Sequence, residues 1–183
     1  PTTMPVPPGL LWTAPVAHAS LLFAKAAPAM LANTTVAAVV QADSAALLIV
    51  GSTDGVVPHV TASAANANSG GRDAFVCRMR TGDGALVWCR QYGGAGHDAA
   101  VSVAVSPDGM YAYIGGETTA QFLGATYQGG ASDLIVMCID AKEGSVVWRK
   151  LVGTQGADSL GAVALSSSND VFVAAHTEAS GSG

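Results

Sequence analysis

The sequence predicts an all-β chain assembled from repeated four-stranded antiparallel units. Three observations carry that expectation. Short runs rich in Val, Ile, Tyr and Phe are separated by Gly, Asp, Asn and Ser, the punctuation of strands and tight turns. Helical periodicity is nearly absent; only the Ala-rich stretch 17–27 has helical character, and Pro28 would end it. The chain also resembles itself at an offset of 60 residues.

The offset is visible residue by residue. "RDAFVCRM" at 72–79 aligns with "SDLIVMCI" at 132–139, so Asp73 corresponds to Asp133 and Trp88 to Trp148. "GGAGHDAAVSVAVSPDG" aligns with "GTQGADSLGAVALSSSN", so Asp98 corresponds to Asp158. An earlier copy of the second half, "VAAVVQADSAALLIVGST" at 36–53, faces "VSVAVSPDGMYAYIGGET" at 101–118 with an offset of 65. The difference falls in a longer loop, "GVVPHVTASAANANSGG" against "TAQFLGATYQGG".

Within the clearest unit the strands are expected at 100–105, 110–116, 133–140 and 145–151. Turn chemistry joins them: "SPDG" at 106–109, "AKEG" at 141–144 and, one unit earlier, "TGDG" at 81–84. The strands carry apolar residues at both parities, as in "FVCRM" and "LIVMCI", which suits sheets covered on both faces. Tandem four-stranded units of this length are the pattern of β-propeller blades, which stack radially to bury what one sheet cannot. The expected organisation is an extended Pro-rich tail at 1–8, a strand of a preceding blade at 9–13, an apolar insertion at 14–35, blades at 36–91 and 100–151, and the start of another at 160–176. Since a propeller needs four to eight blades, the ring is expected to be incomplete in these residues, with further blades supplied by a longer chain or a partner.

The segment 129–177 resembles the SBBP-type β-propeller repeat, through Asp133, Asp140, Gly144, Trp148, Gly153, Gly156, Asp158, Val171 and Phe172, and the resemblance covers about 36–178. The preceding copy carries Asp73, Phe75, Val76, Gly84, Trp88, Gly93, Gly94, Gly96, Asp98, Tyr113 and Gly115. Residues 1–35 depart from the pattern apart from "GLLW", whose Trp12 would be a third copy of the Trp position. A weaker similarity links "IDAKEGSVVW" at 139–148 to quinoprotein dehydrogenase propellers, in which such a motif docks consecutive blades. Recurrence at equivalent positions makes Trp12, Trp88, Trp148, Asp73, Asp133, Asp98 and Asp158 expected structural repeat markers.

Composition narrows the function classes. Charged residues make up only 11% of the 183, against roughly 25% in typical soluble domains, and mean hydropathy is +0.38. A surface so poor in charge is expected to be covered by other subunits, further repeats or glycan. The net charge of −5, with no basic cluster, leaves no electrostatic footprint for nucleic acid. No apolar run of about 20 residues reads as a membrane span; the most apolar patch, 14–32, is broken by Lys25 and Pro28.

Site chemistry is sparse. The Gly-rich loops "GGAGHD" (93–98) and "GTQGAD" (153–158) lack a following helix and a Lys-Ser/Thr pair, so phosphate binding is not indicated. They read as inter-strand loops whose glycines need positive φ, with Asp98 and Asp158 accepting bonds from loop amides. A weak cation site on the repeated Asp residues is the alternative. His18, His59, His97 and His176 share no repeat position or ligand spacing, and no Ser lies in G-x-S-x-G. No catalytic residue, metal ligand or cofactor is assigned.

Cys77 and Cys89 are symmetric about position 83, on opposite arms of a hairpin. A cross-strand disulfide and two buried free thiols both fit. Cys138 reads as a core residue, and Asn33 in "NTT" as an N-glycosylation acceptor if the chain is secreted. The resulting expectation is a non-catalytic structural and protein-interaction module, outside the cell or on its surface, the alternative location being a large intracellular or organellar complex. The competing expectations are a quinoprotein-like propeller enzyme, or a carbohydrate-binding propeller using loops 54–71 and 118–131, with its site in blades beyond these residues.

Overall fold

The computed structural model describes residues 34–57 and 69–178. The expected tail, the strand at 9–13, most of the insertion, Trp12, Asn33, His18 and His59 lie outside these residues. The described residues are all-β, with ten antiparallel strands in sheets of four, four and two and no helix.

The first sheet holds β1 (Thr35–Asp43), β2 (Ala46–Thr53), β3 (Asp73–Arg80) and β4 (Leu86–Tyr92), in chain order. The second holds β5 (Asp98–Val105), β6 (Tyr111–Thr118), β7 (Asp133–Asp140) and β8 (Val146–Val152), again in chain order. β9 (Asp158–Leu165) and β10 (Val171–Thr177) form the third. The two four-stranded sheets are meanders of antiparallel neighbours, and β9 and β10 form an antiparallel pair.

The turns follow the expected chemistry. Gly84, Gly109 and Gly144 adopt φ of +71°, +70° and +73°, the left-handed region that costs glycine least. In the third unit the place of Gly109 is taken by Asn169, at φ +67°, one of the few side chains that tolerate this conformation. Its amide bonds to the Ser166 carbonyl as that of Gly109 bonds to Ser106.

β5 and β9 begin two residues earlier than expected, at Asp98 and Asp158. Asp is a poor strand former in general. Here the Asp98 amide donates to the Arg72 carbonyl at 2.5 Å, and that of Asp158 to the Ser132 carbonyl at 3.0 Å. Each bond ties the entry of one sheet's first strand to the entry of the previous sheet's third.

The main core lies between the first and second sheets. Leu48, Val50, Val76, Trp88 and Tyr92 from one meet Ile114, Ile135, Met137, Ile139 and Leu151 from the other. Strand alternation sends Ile49, Phe75, Cys77, Met79 and Cys89 to the far face of the first sheet, where Val57 packs with them. On the far face of the second sheet, Tyr113 and Cys138 meet Val163 of β9.

Candidate functional site

The most specific geometry in the molecule is the joint between β4 and the β7–β8 turn. Four side chains of the first sheet donate to four consecutive backbone carbonyls of that turn. Arg78 Nη1 donates to Ala141 at 2.8 Å, and Trp88 Nε1 to Lys142 at 2.6 Å. Arg90 donates to Glu143 through Nε and Nη2, at 3.2 and 3.1 Å, and Tyr92 Oη to Gly144 at 2.6 Å. The turn is thus read by its backbone. Gly144 fits because it has no side chain: a Cβ there would come 3.0 Å from Trp88 Cζ3 and 2.8 Å from Arg90 Cγ.

The donors are held from below. Arg78 also pairs with Asp43 at the end of β1, and the Ala45 amide is the main influence holding the Asp43 carboxyl below its usual range. Trp88 and Tyr92 are buried. Burial raises the Tyr92 phenol well above its ordinary value, which keeps it a neutral donor.

Among the described residues, nothing covers the equivalent surface of the second sheet to the same extent. Trp148 occupies the place of Trp88 but is 40% exposed, its ring tilted against Tyr113 at 6.1 Å. Lys150 replaces Arg90, Cys138 replaces Arg78 and Val152 replaces Tyr92. Val147 and Val152 of β8 and Val173 of β10 are also exposed, as is Phe172 on the opposite face of β10 from Val171.

Four acids open four strands. Asp73, Asp98, Asp133 and Asp158 begin β3, β5, β7 and β9, and all four are buried. Their Oδ2 atoms accept backbone amides: Ser69 at 2.9 Å on Asp73, Gly94 at 2.8 Å on Asp98, Gln128 at 2.5 Å on Asp133 and Thr154 at 2.6 Å on Asp158. Burial raises the carboxyls of Asp73, Asp98 and Asp133 above the ordinary Asp value despite these bonds.

The glycines beside them correct the expectation from sequence. Gly93, Gly94, Gly96, Gly153 and Gly156 are not among the residues with positive φ. They are needed because neighbouring atoms crowd them: carboxylates at Gly93 and Gly153, backbone at Gly94 and Gly156, and the Thr119 and Ala120 side chains at Gly96. A Cβ at Gly93 would lie 2.3 Å from Asp73 Oδ1, and one at Gly153 2.1 Å from Asp133 Oδ1.

An open cleft of about 640 Å³ lies beside this point, lined by Asp54, Arg72, His97, Asp98, Glu117 and Thr119 among others. Several of these groups brace the chain. His97 Nδ1 accepts the Arg72 amide, the His97 amide donates to Thr119 Oγ1, and Glu117 Oε1 accepts the Leu160 amide. Among the described residues, no three His, Cys, Asp or Glu side chains converge as metal ligands. His176 lies exposed on β10.

Cys77 and Cys89 stand opposite each other in the β3–β4 register and are joined as a disulfide. Cys138 is free and buried, and burial raises its thiol pKa. No helix among the described residues is long and apolar enough to cross a membrane.

No protein-family model matches the chain, and no curated protein does.

The sequence reading brought out the two Trp residues and the four acids. It missed Arg78, Arg90 and Tyr92, which complete the joint, because carbonyl recognition leaves no side-chain signature in the turn. The only available signal was their position on the same strand faces as Trp88.

Proposed function

We propose that these residues form part of a repeat-built β-propeller that acts as a structural and protein-interaction module in a larger assembly, outside the cell or on its surface. The observation that carries this reading is the pair Trp88 and Trp148. The first is a docked joint and the second the same joint left open. The blade interpretation draws support from the 60-residue repeat and the meander order shared by the two complete sheets. The low charge content supports assembly. The Cys77–Cys89 disulfide supports an oxidising compartment. In this role the side-chain chemistry is mechanical: buried acids pin strand entries, and turn carbonyls receive the donors of the preceding sheet.

Lys150, beside Trp148, provides a test. Amine-reactive crosslinking of native material should join Lys150 to a polypeptide segment outside residues 34–178. If Lys150 yields only dead-end modification, or if purified material turns over redox or hydrolase substrates, the reading is wrong.

A further inference from the structure

The third sheet holds two strands where the first and second hold four. By position, β10 corresponds to β2 and β6, the second strands of their sheets. β2 pairs with both β1 and β3, and β6 with both β5 and β7. Among the described residues, β10 pairs with β9 alone.

β10 shares with β2, the interior strand at its position in the first sheet, a sequence without charge or proline. The closing strands β4 and β8 carry Arg90 and Arg149 with Lys150, the kind of charge that protects a sheet edge from further pairing. β10 reads VFVAAHT, with no Lys, Arg, Asp, Glu or Pro. Its Phe172 is 60% exposed. The Trp148 face lies on β8 of the adjoining sheet, where a β7–β8-type turn would sit if the third sheet were complete.

Resting on the propeller-module reading above, we infer that β10 and the Trp148–Lys150 face together form the docking site of one β-hairpin of the β7–β8 kind. Its first strand pairs antiparallel with Val171–Thr177 by strand addition. Its turn presents consecutive carbonyls to Trp148 Nε1 and Lys150 Nζ. A single added strand would satisfy the β10 edge and leave the indole without its acceptor; the hairpin accounts for both. Because Cys138 and Val152 replace Arg78 and Tyr92, two side chains donate here instead of four. Recognition through carbonyls makes strand character and a tight glycine-closed turn the requirement on the partner, with little demand on its turn side chains.

The test extends the full chain at its C-terminus with a second copy of its own residues 119–152, the connection and hairpin that dock on the first sheet. A parallel version carries residues 119–131 followed by a copy of 72–92, whose two cysteines staple the hairpin. Hydrogen exchange followed by mass spectrometry reads the amides of 171–177. At least one extension should slow them tenfold or more relative to the unextended chain. Trp148→Ala with Lys150→Ala in that extended chain should remove most of the protection. Unchanged exchange in both extensions overturns the inference, as does protection that ignores the double substitution. Either result leaves the module reading to be judged by the Lys150 crosslinks.

Discussion

Trp88 Nε1 donates to the carbonyl of Lys142 at 2.6 Å, fastening β4 of the first sheet to a turn of the second. Its counterpart Trp148 presents 40% of its surface to solvent. Tryptophans on the fourth strands of the two sheets therefore do different work in the same chain, and stability measurements can separate them. Trp88→Ala should cost about 3–5 kcal/mol, the range for truncating a buried aromatic residue, whereas Trp148→Ala should cost less than about 1.5 kcal/mol. Urea unfolding of the two variants checks the ordering, and equal losses would refute it.

The crowding of Gly93 by Asp73 gives a second prediction. Gly93→Ala brings a methyl group to 2.3 Å from Asp73 Oδ1 and should destabilise by about 1–3 kcal/mol, the usual penalty for overpacking. Adding Asp73→Ala removes the clash, so the double variant should lose less than the sum of the single variants. A double-mutant cycle measures the coupling; strict additivity would show that the carboxylate is not the obstacle.

Much of this was legible in the sequence, for identifiable reasons. The spacing of Trp88 and Trp148 and the turns ending in Gly84, Gly109 and Gly144 follow from local rules, and each has the expected backbone. Opposition of Cys77 and Cys89 followed from hairpin symmetry, although symmetry left the bond itself undecided. The strand entries at Asp98 and Asp158 were hidden because propensity argues for a loop there, and the inter-sheet bonds that override it are tertiary. The role of Gly93 and Gly153 was hidden for the same reason: the atoms that exclude a side chain lie 20 residues away in the sequence.

The disulfide supplies a third test. It links residues 12 apart, and closing a loop of that size stabilises by about 2–3 kcal/mol in the chain-entropy model. Reduction, or Cys77→Ser with Cys89→Ser, should lower the thermal midpoint by several degrees. Cys138, buried with a raised thiol pKa, should react with thiol reagents only as the fold opens. Rapid labelling in the native state would contradict its placement.

A fourth prediction concerns pH. Burial raises the folded-state pKa of Asp98 above 3.8. Its contribution to stability is therefore greatest below 3.8 and is lost as pH rises from there through the folded value. Asp98→Asn removes that dependence. The unfolding free energy of the native chain relative to Asp98→Asn should therefore fall as pH rises from about 4 towards neutrality. Denaturant titrations at several pH values give the slope, and a relative stability that climbs with pH would reverse the sign.

On the reading proposed above, the Trp148 and β10 surface is a joint awaiting its partner. Light scattering of the purified chain across a concentration series tests it most directly. The mass should exceed 18.2 kDa, rise with concentration and return to the monomer value on Phe172→Lys with Val173→Lys. A monodisperse 18.2 kDa particle at every concentration would contradict it.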